Sequence, residues 1–291
     1  VSPRPLRQFY GDDRTLALDG LPGAVEPFRR HRARFLEALG SLTEDQWSAT
    51  TRCDAWSAKD VCHHLVTADG FWAMSLLGRA EATPTTFLRG FDPTSTPGAV
   101  IAPMREQPAR AALESLTAST DQLLEALSGI DEGEWTAMRS ESPFGHVSLL
   151  VIAAHALWDS WLHERDVLLP LGHAPAVEDD ELVTAAAFTL FLGGAQGGVL
   201  DDDDAVGEGP TAPIDGAVAF DELPGRAFYL GVDRDVRVSV DAETFRAGGA
   251  CAVGSAVTFV ESVTGRTPLG PTLARFPADI AAQLQRARQI L

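Results

Sequence analysis

SLLVIAAHALWDSWLHERDVLLPLG, residues 148–172, repeats apolar side chains at three- and four-residue intervals until Pro170 and Gly172 break the pattern. That spacing predicts an amphipathic helix over roughly 146–169, too interrupted by charge to span a bilayer. Its polar residues are periodic as well, with His155, Asp159 and His163 at successive steps of four. Each step turns about 40° around a helix of 3.6 residues per turn, so Asp159 and His163 share a face and a single ion can take both. His155 and His163 lie about 80° apart, which makes His155 a neighbour of the ligand set or a spare rather than an equal member.

The same periodicity towards the N-terminus predicts helices over roughly 22–40, 57–78 and 108–128. Ser57, three residues before Asp60, has the spacing of a capping box, and Pro108 suits a first helical turn. Four helices with two long connections make a bundle with mutually facing apolar stripes. After Pro170 the character changes: Gly and Pro become frequent, and the alternating runs RAFYLGV (226–232) and DVRVSVD (235–241) predict strands. The fold class read from this is α+β, with a helical bundle over 1–172 followed by a smaller α/β domain over 173–291.

Two ligands on one helix leave an ion's coordination sphere mostly open, so a further donor has to come from another helix. His63 and His64 are the candidates. Adjacent helical residues face about 100° apart, so one of them is expected to enter the bundle, and Val61, Leu65 and Ala68 favour His64. Two imidazoles and a carboxylate with open positions have the pattern of a catalytic metal site. Against this stands the plainer alternative that these histidines are hydrogen-bonded packing residues of an amphipathic face.

The bundle halves echo one another. LGSLTEDQWSA (39–49) parallels LSGIDEGEWTA (127–137), matching at Leu39/Leu127, Glu44/Glu132, Trp47/Trp135 and Ala49/Ala137, and Ser57 precedes His64 by the interval that separates Ser148 from His155. A duplicated helical hairpin explains both matches, as does convergence of short helix–turn segments.

Composition bounds the rest. The chain has 291 residues, 45% hydrophobic and 22% charged, which is the balance of a folded globular protein. A formal net charge of −18 repels phosphate backbones and anionic membrane surfaces, so neither nucleic acid nor a membrane is an expected partner. Cys53, Cys62 and Cys251 have no paired spacing, and the N-terminal residues show no export signal, so a cytoplasmic location is expected. Cys62 reads as inert packing. Asp54, Glu164 and Asp166 are potential orienting acids, and Trp158 and Trp161 are either walls of the metal pocket or, as is more common, core packing. Asp201–Asp204 reads as a solvated turn, and Gly193, Gly194, Gly197 and Gly198 lack the context of a phosphate-binding loop.

TRCDAWSAKDVCHHLV (51–66), with WDSWLHERDVLLPLG (158–172) about ninety residues on, resembles the paired motifs of the mycothiol-dependent maleylpyruvate isomerase family, within the DinB-like group. The resemblance covers roughly residues 22–172. It implies a DinB-like four-helix bundle binding a divalent metal, zinc first among candidates, through His64, Asp159 and His163. The family usually shows Glu at the position of Asp159, which is one methylene shorter. The resemblance further implies a sterol-carrier-like C-terminal module, with GSAVTFVESVTGRTPLG (254–270) as a helix and turn ending at Thr264, Gly265 and Arg266. Arg266 reads either as an anion contact or as a solvated residue after a helix-ending glycine.

The function implied is thiol chemistry on a small electrophile, with mycothiol or a similar low-molecular-weight thiol as cosubstrate. As an isomerase, reversible thiol addition to a conjugated double bond permits rotation before the thiol leaves. As a thiol S-transferase, the thiol stays attached. The alternative is a non-catalytic small-ligand-binding protein whose metal site is structural or vestigial.

Overall fold

The structure is a computed structural model that describes residues 5–11, 14–23, 25–53, 55–78, 85–200, 210, 212–241 and 249–290. Asp54 and Asp201–Asp204 lie outside the described residues. In chain order the elements are β1 (Leu16–Asp19), α1 (Val25–Gly40), α2 (Glu44–Trp47), α3 (Ala58–Leu77), α4 (Thr96–Ile101), α5 (Ala109–Ser128), α6 (Glu134–Ala137), β2 (Arg139–Ser142), β3 (Gly145–Ser148), α7 (Leu149–Leu168) and α8 (Asp179–Gln196). They continue with β4 (Ile214–Phe220), β5 (Ala227–Val232), β6 (Val236–Asp241), β7 (Ala250–Gly254), α9 (Ala256–Val263), α10 (Leu269–Leu273) and α11 (Ala278–Ala287).

Helices α1, α3, α5 and α7 form the expected bundle. The capping box at the start of α3 is present: Ser57 Oγ accepts from the Asp60 backbone N–H at 3.2 Å, and Asp60 Oδ2 accepts from the Ser57 N–H at 2.9 Å. One cluster of the bundle core joins Phe35, Leu39, Val61, Leu65, Leu116 and Val167. A larger core, including Phe28, Trp72, Leu123 and Ile152, continues through α8 into the sheet. Inside the bundle, the Arg32 guanidinium grips both carboxylate oxygens of Asp69 at 3.1 and 3.0 Å, with Ser119 and Thr120 each donating to Oδ2 at 3.2 Å. Both charges are buried, and the two extra hydroxyl donors offset part of the desolvation that such a pair costs.

The sheet has the order β1-β6-β5-β4-β7, antiparallel between β4, β5 and β6 and parallel at both edges. The strands foreseen over 226–232 and 235–241 are β5 and β6. Strand β1 was not foreseen. Its four residues alternate, with Leu16 and Leu18 buried, and pair in register with Val236 to Ser239. The boundary drawn at residue 172 therefore separates the bundle helices from most of the sheet, while β1 crosses it.

One other expectation is corrected. Residues 146–148 belong to β3, paired antiparallel with β2, because the turn at Pro143 and Phe144 folds this segment back before α7 begins. Gly193 and Gly194 lie inside α8, a helix buried on nearly every side between α7 and the sheet. Their role is close approach: a Cβ at Gly193 would stand 2.5 Å from Leu284, and one at Gly194 would stand 2.7 Å from Val236. Gly194→Leu should accordingly destabilise the fold by about 1–3 kcal/mol, read from the midpoint of a urea melt, since the branched side chain must displace Val236, Leu230 and Val232.

Candidate metal centre

His64 on α3 and Asp159 and His163 on α7 converge. His64 Nε2 lies 3.3 Å from Asp159 Oδ2 and His163 Nε2 lies 3.4 Å from Asp159 Oδ1, while the two imidazole centroids are 4.9 Å apart at an interplanar angle of 77°. One donor atom from each residue falls within 4.8 Å of the others. The shorter Asp159 side chain thus reaches between the two rings.

Electrostatics match this geometry. Burial alone would raise the Asp159 carboxyl, but His64 and His163 outweigh it and hold Asp159 well below the usual carboxylate range. Burial would likewise lower His163, yet the Asp159 carboxylate, with contributions from Cys53 and Asp166, holds it well above the usual imidazole range. Without an ion, these neighbours favour the charged form of His163. Metal and proton compete for its Nε2, so uptake should release about one proton per ion from His163, and affinity should fall about tenfold per unit of acidification. Titration of the ion into weakly buffered protein with a pH indicator measures both.

A second layer surrounds His163 on its other side. Its Nδ1 lies 3.2 Å from Asp166 Oδ2, which fixes the ring so that Nε2 faces Asp159. Arg266 donates to Asp166 from Nε at 3.0 Å and from a terminal nitrogen at 2.5 Å. Cys53 Sγ stands 3.1 Å from Asp166 Oδ2 and 3.6 Å from His163 Nδ1. Glu261 of α9 takes Arg52 at 3.0 Å and Arg165 at 2.8 Å, so the segment around 261–266 is bound to the end of α7 by paired charges. Of the two readings of Arg266, the structure shows neither a free anion contact nor a solvated side chain: it is an ion-pair partner of Asp166.

The histidines beside the triad sort differently from expectation. Both His63 and His64 turn inward. His63 is fully buried and neither ring nitrogen has a hydrogen-bond partner among the described residues, whereas His64 is partly exposed at the triad. His155 lies among aromatic rings, 4.7 Å from Phe188 and from Trp72 and 5.7 Å from Trp158. Burial pushes its pKa down to about 4, so it is a neutral ring in an apolar setting. Trp158 and Trp161 serve elsewhere, Trp158 donating to Thr189 and Trp161 lying under the Arg165 guanidinium. The tryptophan at the triad is Trp56, 5.2 Å from His64 and 6.4 Å from His163. Ala55 before it has a φ of 65°, a left-handed conformation that turns the short connection so that Cys53 and Trp56 both meet α7. Glu164 points away from the triad to Arg34 and His31, and Cys62, with its thiol pushed up to about 12, contacts the Ala112 carbonyl as inert packing.

Residues 28–168 match the family model described as the mycothiol maleylpyruvate isomerase N-terminal domain. That stretch carries His64, Asp159 and His163, so this part of the chain is similar to the mycothiol maleylpyruvate isomerase N-terminal domain. Two solved structures share the fold over 84% of this chain and 88% of their own: the crystal structure of a mycothiol-dependent maleylpyruvate isomerase, at 17% identity and a TM-score of 0.52, and that of a histidine-to-alanine mutant, at 15% and 0.54. No curated protein matches the sequence. The likeness extends past the mycothiol maleylpyruvate isomerase N-terminal domain into the sheet half, where β1 and α8 tie the two together. No helix among the described residues is long and apolar enough to cross a membrane.

Proposed function

We propose that the protein is a metal-dependent enzyme that uses a low-molecular-weight thiol, mycothiol or a close analogue, as an isomerase or thiol S-transferase on a small electrophile. The observation that carries this reading is the meeting of His64 Nε2, His163 Nε2 and the Asp159 carboxylate in one donor set that leaves further coordination positions open. Two imidazoles and one carboxylate suit a divalent ion of intermediate softness, zinc first among candidates. Bound there, such an ion supplies a positive charge that lowers the pKa of a thiol cosubstrate and favours its thiolate.

The chain's own residues do the rest. Asp166 holds the Nδ1 proton of His163 and keeps Nε2 aimed at the centre. Trp56 covers one flank of both imidazoles and excludes water there. None of the three cysteines substitutes for an added thiol: Cys53 lies on the Nδ1 side of His163, Cys62 is locked against Ala112, and Cys251 is on the edge strand β7.

Zinc-loaded protein, mycothiol and a small cis-configured conjugated acid form the test. Turnover that requires both thiol and ion, and that disappears in Asp159→Ala, supports the proposal. Turnover indifferent to thiol, or none with any conjugated or alkylating electrophile while the ion is bound, overturns it.

A further inference from the structure

The sequence echo between the bundle halves extends into three dimensions. Each half runs long helix, four-residue helix, antiparallel pairing, long helix: α1, α2, the Thr50–Ser57 bridge and α3 against α5, α6, the Arg139–Ser148 pair and α7. With Leu39 placed on Leu127 and Ser57 on Ser148, equivalent positions make equivalent contacts. His31 on α1 meets Ser160 on α7 at 2.9 Å, and their counterparts, Ser119 on α5 and Asp69 on α3, meet at 3.2 Å. Convergent composition explains similar short helices, but not a pair of cross-bundle contacts that exchange when α1 is laid on α5 and α3 on α7, the second overlay shifted by three residues more than the first.

The overlay of α3 on α7 carries the metal centre onto a second place. His64 corresponds to His155, Asp159 to Ala68 and His163 to Trp72. In the first, the His64 and His163 rings stand 4.9 Å apart; in the second, the His155 and Trp72 rings stand 4.7 Å apart. Two buried polar atoms at the second place, Nδ1 of His155 and Nε1 of Trp72, have no hydrogen-bond partner among the described residues. An imidazole nitrogen left unpartnered in an aromatic setting costs stability, and descent from a ligand position is one reason for a histidine there.

We propose that the bundle is a duplicated hairpin with two pseudo-equivalent metal positions, and that His155 is the surviving ligand of the second, whose carboxylate and second imidazole have become Ala68 and Trp72. This inference rests on the metal reading of the first centre. It assigns His155 no part in that centre, so His155→Ala keeps the parent's metal content. It also makes the second site recoverable, because the α3 and α7 backbones already hold the required spacing.

The test is the stoichiometry of zinc or cobalt(II) bound by the full chain, the A68D/W72H variant, and that variant with His155→Ala added. Two equivalents in A68D/W72H against one in the parent, returning to one when His155 is removed, is the expected result. A folded A68D/W72H chain that stays at one overturns the proposal. Should the double variant not fold, W72H alone decides with copper(II): its two imidazoles should take a second, weaker ion that His155→Ala abolishes, and the absence of that ion overturns the inference. A parent that binds none sinks the native centre and with it the inference that rests on it, whereas a parent at one equivalent beside a folded A68D/W72H chain also at one sinks the inference alone.

Discussion

His163→Ala should reduce affinity for a divalent ion by more than about a hundredfold, measured by competition with a chromogenic chelator. The substitution removes a nitrogen ligand and also the ring through which Asp166 acts on the centre. His64→Ala removes a ligand and leaves that ring in place, so its loss should be large but smaller. Asp159→Ala takes away the only carboxylate of the set and leaves two facing imidazoles. An order of losses with His163 first distinguishes this arrangement from one in which all three residues contribute alike.

The second large effect is expected at Asp166, which stands behind His163 on its Nδ1 side. Its carboxylate is fully buried, takes two bonds from Arg266 and one from His163, and is held below its ordinary range chiefly by those partners against the opposing effect of burial. Asp166→Ala strands the Arg266 cation and frees the His163 ring. Breaking a buried pair from one side costs about 3–5 kcal/mol, and loss of an orienting partner costs about 10–100-fold in metal affinity. Denaturant melts read the first and chelator competition the second. Because Asp166 has its pKa depressed, its stabilising contribution is present above the unfolded carboxyl range and is lost as pH falls towards the folded value. The difference in stability between parent and Asp166→Ala should therefore shrink on acidification below about pH 4.

Much of this was legible in the sequence where one helix could be read alone. The four-residue spacing of Asp159 and His163, the capping box at Ser57 and the break at Pro170 each follow from local geometry, and the structure places all three as expected. What failed to show depends on contacts far along the chain. Strand β1 is four residues long and acquires meaning only beside β6, more than two hundred residues on. Helix α8 is buried on nearly every side, so no polar face marks its extent along the sequence. Cys53 and Trp56 lie within the first motif, yet nothing local announces that a left-handed Ala55 turns both towards His163. The role of Arg266 is not legible locally because its partner, Asp166, is a hundred residues away. His63 and His64 show the limit of helical-wheel reasoning: two neighbours about 100° apart can both be inward when a helix is surrounded on several sides.

The most direct test of the central claim is elemental analysis of the purified, unaltered protein beside His64→Ala and His163→Ala, each after exposure to zinc, nickel and manganese and removal of the excess. About one equivalent of one ion in the parent, lost in both variants, is the result this arrangement requires. A parent that takes up none of the three ions, or variants that retain the parent's full content, would contradict it.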